Sequence, residues 1–182
     1  MQQRYSPTQQ LFHWITVLCM AAILPLAWVM TSAKDSPFNE ALYNWHKTLG
    51  TIVLLITAAR IFWRLADRPP AYPPRIAVWD KALAHTTYVL FFFVLLWMPI
   101  TGFFTTTFDG YPTTYFNLIP SPQLLPKNDQ LADLFGDLHA FGQWALYGLL
   151  GLHIAGVVFH VVFRRDGVLG RMLPAQALEG DD

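Results

Sequence analysis

The sequence predicts an all-α membrane protein, a bundle of four transmembrane helices with both termini on the cytoplasmic side. Three observations carry that expectation. Of the 182 residues, 54% are hydrophobic and only 13% are charged, whereas a soluble domain carries about 25% charged residues. Four apolar segments are each long enough to cross a bilayer core of about 30 Å, which takes roughly 20 helical residues. Lys and Arg are sorted unequally between the two ends of these segments. The length suits a single transmembrane domain over residues 1–182, with no room for a second module.

The first span is expected at 11–31. Its start is marked by "YSPTQQ", with Ser6 as N-cap and Pro7 at the first helical position. The apolar stretch is too long for a signal peptide and "MTSAKD" is a poor cleavage site, so the segment is expected to be retained. The second span is expected at 42–65. It is followed by the short, proline-stiffened loop "ADRPPAYPPRIAVWDK". The third is expected at 82–107. The longest loop then runs from Phe108 to about Asp137 and contains "FDGYPTTYFNLIPSP". The fourth span is expected at 138–163.

One side of these spans receives Arg4, Arg64, Arg68, Arg75, Lys81, Arg164, Arg165 and Arg171, with Arg60 just inside the second helix. The other side receives only Lys34, Lys47 and Lys127. The positive-inside rule therefore places both termini in the cytoplasm and the long loop outside. The formal net charge is zero, which gives no sign of a nucleic-acid partner. The single cysteine, Cys19, excludes an internal disulfide, a Cys-x-x-Cys-His attachment motif and a multi-cysteine iron–sulfur site.

The chemistry lies in the histidines. His13, His46, His85, His139, His153 and His160 all fall in or at the ends of the spans. A single histidine there is explained as readily by interfacial anchoring or a helix–helix hydrogen bond. Six together are not, because polar groups at membrane depth are costly and usually functional. His139 and His153 are 14 residues apart, which is about 40° of rotation and about 21 Å of rise. His46 near the outer end of the second span and His13 near the inner end of the first are also about 21 Å apart in depth. Two pairs result, His46 with His139 outside and His13 with His153 inside. Facing neutral imidazoles are what six-coordinate haem iron needs, and any haem here is held non-covalently.

Other ligands for the inner level remain open on geometry. His160 lies on the stripe of His153, about 20° away and about 10 Å nearer the cytoplasm. His85, at the start of the third span, is also at the inner face. A His13–His160 pair gives a separation of about 31 Å on the fourth helix, a poorer match to 21 Å. Gly50, Gly142 and Gly156 lie three or four residues from His46, His139 and His153. They are expected to share the ligand face and leave room for a flat macrocycle, although glycine also permits close helix packing. No Asp or Glu stands beside the histidines within the central spans, as a zinc site or proton pathway would need, and no Ser/His/Asp grouping offers a nucleophile.

The segments "RYSPTQQLFHW", "LYNWHKTLG", "DLHAFGQWALYGLLGLH" and "RRDGVLGRML" together resemble the prokaryotic cytochrome b561 family. These are four-helix, di-haem b cytochromes of the bacterial inner membrane, and one branch acts as superoxide oxidase. The resemblance implies two haem b groups. It places the ligands of one on His13 and His153 and of the other on His46 and His139. It further implies electron transfer between a periplasmic donor, superoxide or a redox protein, and ubiquinone or another quinone at the cytoplasmic side. His160 and Arg64 are the positions that suit the quinone by location. Two other functions share some of these features. One is a cytochrome b subunit serving a partner dehydrogenase or hydrogenase, which would co-purify with that partner. The other is a histidine-lined cation transporter without haem, which would lack a b-type absorption spectrum.

Overall fold

A computed structural model describes residues 4–72, 76–111 and 113–174. Arg75 of the basic set lies outside the described residues. Four helices dominate: α1 (Pro7–Ser32), α2 (Asn39–Ala66), α3 (Val78–Asp109) and α4 (Asp129–Val158). A two-stranded antiparallel hairpin, β1 (Thr114–Tyr115) with β2 (Ile119–Pro120), interrupts the connection from α3 to α4. All four helices are long and apolar enough to cross a membrane, the last continuing to Arg164. Large apolar side chains point outward along them, including Trp28, Phe62, Phe93 and Ile154. Exposure on that scale suits lipid and not water.

Helices α1 to α3 enclose the apolar spans expected for them and overrun them by a few residues, and α4 together with its continuation to Arg164 encloses the fourth, with one larger difference. Helix α4 begins at Asp129, nine residues before the expected span, so the long loop is about a third shorter than its sequence implies. The three aspartates of "DQLADLFGD" hide this start from a hydropathy reading. Asn128 caps the helix by accepting a hydrogen bond from the Leu131 amide at 3.1 Å. Phe135 then stacks on Phe104 and Phe108, with ring centroids 4.8 and 5.8 Å away. At the start of α1, the Ser6 hydroxyl accepts from the Gln9 amide and Pro7 opens the helix, as the sequence indicates.

The helices run up and down, with packed interfaces between α1 and α2, α2 and α3, and α3 and α4. No packed interface of that kind joins α4 to α1 or α2 among the described residues. What the four share is one apolar layer at mid-depth: Cys19, Val53, Val94, Leu95 and Leu146. Leu146 is seven residues from both His139 and His153, so this layer lies about 10 Å from each histidine level.

The two ends are finished differently. At the end bearing both termini, Arg171 is buried and donates to the Ala71 and Pro70 carbonyls at 2.8 and 3.2 Å. Its own carbonyl accepts from the Tyr5 amide at 3.1 Å, and the Met172 carbonyl accepts from Trp14 Nε1 at 2.8 Å. The tail is thereby laced to the start of α1 and to the α2–α3 link. A second lattice joins Arg164 to the buried Asp80 at the start of α3. At the opposite end the hairpin seats on α2. Asn44 Oδ1 accepts from the Thr114 amide at 3.2 Å, and Thr48 Oγ1 accepts from the Phe116 amide at 3.0 Å. Phe116 and Asn117 turn the hairpin with φ of 55° each, a left-handed conformation unusual for phenylalanine.

Candidate haem-binding centres

The helices bring four of the six histidines into two facing pairs. His13 on α1 meets His153 on α4 with ring centroids 6.3 Å apart and planes crossed at 62°. His46 on α2 meets His139 on α4 at 6.3 Å and 78°. Both pairs bridge the space where α4 lacks a packed interface with α1 and α2. Among the described residues no group of three or more His, Cys, Asp or Glu side chains could hold a metal ion unaided. Each pair therefore could supply only two ligands, so a metal held there would need its remaining coordination from a bound group.

The spacing fits a metal on the line between the rings. A metal–imidazole bond is about 2.0–2.1 Å, and a ring centroid lies about 1.1 Å behind its nitrogen, so two opposed ligands put the centroids roughly 6.3 Å apart. Both pairs meet that distance. The donor set is also right: two neutral nitrogens leave four equatorial positions for a porphyrin.

Hydrogen bonding fixes the tautomer of one of the four imidazoles. His139 Nδ1 is 2.9 Å from the Met98 carbonyl, which can only accept, so Nδ1 carries the proton and Nε2 keeps its lone pair. Thr101 Oγ1, 3.2 Å away, is a second acceptor, its own proton going to the Trp97 or Met98 carbonyl. These acceptors flank Pro99 on α3, Met98 directly before it and Thr101 two residues after. Gly102 lets the ring approach, since a Cβ there would lie 3.1 Å from His139 Cε1. The other rings are held less firmly. His46 approaches the Ile23 backbone of α1, its buried Nδ1 falling short of a full hydrogen bond, and neither His13 nor His153 has a hydrogen-bond partner among the described residues. His153 instead packs edge-on against Phe91 at 5.6 Å.

Gly142 departs from the expectation that it makes room for a macrocycle. A Cβ there would lie 2.7 Å from Met98 Sδ and 2.9 Å from Trp97 Cδ1, so the position serves contact between α3 and α4. It is three residues from His139, which turns it about 60° away from the ligand direction and onto α3. Gly156 has open space beside it, and Gly50 meets only Ile23 Cδ1 at 4.0 Å, so neither position is closed by a neighbouring helix.

His160 and Arg64 are not joined by any hydrogen bond, ion pair or ring contact among the described residues. His160 lies in a π-helical continuation of α4 (Phe159–Arg164), with Nδ1 2.6 Å from Asp166 Oδ2. The Arg64 guanidinium lies over the Tyr88 ring, 3.9 Å from its centroid. His85 also packs on Tyr88, with centroids 5.8 Å apart. Two residues that sequence reasoning passed over stand beside the histidine pairs, Arg60 near His13 and Thr101 near His139. Arg60, counted only as a basic residue, donates to Thr16 Oγ1 at 3.1 Å and lies over Phe92, within electrostatic range of His13. Thr101 carries no sequence signal beyond its place two residues after Pro99.

Four apolar helices with opposed imidazoles between them make the architecture of a membrane cytochrome. The comparisons with known proteins agree. The family model for prokaryotic cytochrome b561 matches residues 4–175. Cytochrome b561 homolog 2 of Escherichia coli (strain K12) is 24% identical over 172 residues, covering 94% of this chain and 92% of that protein. Cytochrome b561 homolog 1 of the same organism is 25% identical over 177 residues, covering 94% and 97%. The chain belongs to the prokaryotic cytochrome b561 family, and is a bacterial membrane electron-transfer protein of a family whose cofactor is haem b.

Proposed function

We propose that this chain is a di-haem b cytochrome of the inner membrane that carries electrons from a periplasmic donor to the quinone pool. His13 and His153 are the axial ligands of the inner haem, and His46 and His139 those of the outer. The single observation that carries this reading is the shared 6.3 Å spacing of the two imidazole pairs at two depths. The end laced by Arg171, Arg164 and Asp80 stands in the cytoplasm, following the positive-inside rule. Haem iron held in this way supplies one-electron redox chemistry. The chain positions the two centres, excludes water with the Leu146 layer and holds protons at the inner end. Two b haems per chain by pyridine haemochrome are expected for the purified protein; one or none overturns the proposal.

The quinone is placed beside His160. Asp166 accepts from Nδ1, which orients the ring and leaves Nε2 to meet a quinone carbonyl and pass it a proton. Arg64 contributes charge from the neighbouring end of α2. His160→Ala is expected to keep both haems and to slow reoxidation by added quinone about 10²-fold, the lower range for a lost general acid. Unchanged reoxidation kinetics would remove His160 from the quinone site.

Superoxide, the donor of one branch of the family, meets an unfavourable outer face. Lys34, Lys47 and Lys127 stand against Asp35, Glu40, Asp109, Asp129, Asp133 and Asp137, three cations against six carboxylates, a net of −3. Lys127 is paired with Asp129 at 3.1 Å, and that hydrogen bond raises its pKa above the ordinary value. Lys47, next to the ligand His46, lies in the field of Asp109 and Glu40. A net negative face repels an anion. Superoxide is therefore expected to reduce the cytochrome well below the steered limit of about 10⁹ M⁻¹s⁻¹, and faster as salt is added. Pulse-generated superoxide with absorbance detection checks this. A near-limiting rate that falls with salt would show Lys47 dominating locally and make superoxide the first choice over a protein donor.

A further inference from the structure

Resting on the di-haem reading above, we infer that Arg60 at the inner centre and the α3 acceptors of His139 at the outer centre order the two haem potentials, inner above outer, so that electrons run inward.

The two centres differ in the charge and hydrogen bonds around them. At the inner centre Arg60 reaches from α2 to Thr16, one turn beyond His13 on α1, and packs over Phe92, next to the Phe91 that touches His153. The titratable groups that act on it most are Tyr88 and Arg64, and His13 lies within its field; none of these three is a carboxylate. A fixed cation stabilises the reduced state, which carries one more negative charge, and so raises the potential. The sign is the same whether the guanidinium faces the iron or neutralises a carboxylate at the edge of the porphyrin. The cation at the outer centre is Lys47, and Asp109 and Glu40 offset it.

At the outer centre His139 donates from Nδ1 to the Met98 carbonyl and to Thr101 Oγ1. Donating that proton increases the basicity of the ligating Nε2, which favours the ferric state and lowers the potential. His13 and His153 have no such acceptors among the described residues. The two differences lie on opposite sides of the Leu146 layer and act in the same direction. They are also independent, because one is a charge on α2 and the other a hydrogen-bond acceptor set on α3.

Potentiometric titration of the purified protein tests the inference. The wild type should titrate as two one-electron steps, and His139→Ala, which keeps only the inner haem, should retain the higher one. Arg60→Met is expected to lower the higher potential by about tenfold in its reduction equilibrium, about 59 mV for one electron, with the lower step unmoved. Arg60→Lys, which keeps the charge, should restore it. Thr101→Val is expected to raise the lower potential by about threefold in the same constant, and Thr101→Ser to leave it in place. If His139→Ala retains the lower step, or Arg60→Met leaves the higher step unmoved at full haem content, the inference is wrong while the di-haem reading stands. A wild type with a single haem would overturn the di-haem reading itself.

Discussion

His46→Ala and His139→Ala proteins are each expected to purify with one haem per chain in place of two, the outer one missing. His13→Ala and His153→Ala should each lose the inner one. The effect is large because nothing covalent holds the group. The only cysteine, Cys19, lies in the apolar layer at mid-depth, so the axial bonds and the cavity do all the anchoring. The two losses should also be independent. Leu146, Val53, Cys19, Val94 and Leu95 separate the levels with close-packed side chains, and neither pair shares a ligand with the other. Pyridine haemochrome on detergent-purified variants gives the stoichiometry, and a double variant such as His139→Ala with His153→Ala should hold no haem. Full haem content in His153→Ala would instead assign the inner ligand to His160, which lies on the same stripe two turns further on.

The histidine pairing could be read before the structure because helix pitch converts sequence spacing directly into depth and direction. Fourteen residues return nearly to the same stripe, so His139 and His153 had to face one way. The four spans were legible for the same reason, since lipid requires continuous apolar helix. What escaped was set by partners distant in sequence. Arg171 counts as one more positive charge until Ala71 and Pro70, about a hundred residues earlier, turn out to accept its hydrogen bonds. Asp80 looks like a loop residue until Arg164 covers it. Thr101 and Met98 reach His139 only because α3 packs against α4 there. Helix α4 starts two turns early because Phe135 has Phe104 and Phe108 to stack on, which no local pattern announces. Gly142 serves helix contact because Met98 and Trp97 of α3 stand against it, and no spacing on α4 alone reveals those partners.

That same crowding makes Gly142→Leu the most damaging single change expected away from the ligands. Its first added carbon would fall 2.7 Å from Met98 Sδ and within 2.9 and 3.1 Å of Trp97 Cδ1 and Nε1. The thioether of Met98 can swing aside, as flexible methionine usually does. The Trp97 indole has less freedom, because its Nε1 donates to the Leu138 carbonyl at 3.0 Å. The rest of a leucine side chain can be admitted only by parting α3 from α4, at a cost of about 1–3 kcal/mol or more for overpacking. Parting them pulls Met98 and Thr101 away from His139, which loses the hydrogen bonds that fix its tautomer and direction. The outer haem should therefore be depleted in Gly142→Leu while the inner haem stays near full occupancy, and the melting temperature should fall. Gly142→Ala should show the same pattern more weakly, since Met98 can absorb most of one methyl. Gly148→Ala and Gly151→Ala are the controls. Both positions have no atom within 4 Å of an added Cβ, so alanine there should keep both haems and favour the helix by about 1 kcal/mol. Haem stoichiometry and thermal melts on the four variants decide the matter. A Gly142→Leu protein with two haems and an unchanged melt would mean that the α3–α4 contact does not hold His139 in place.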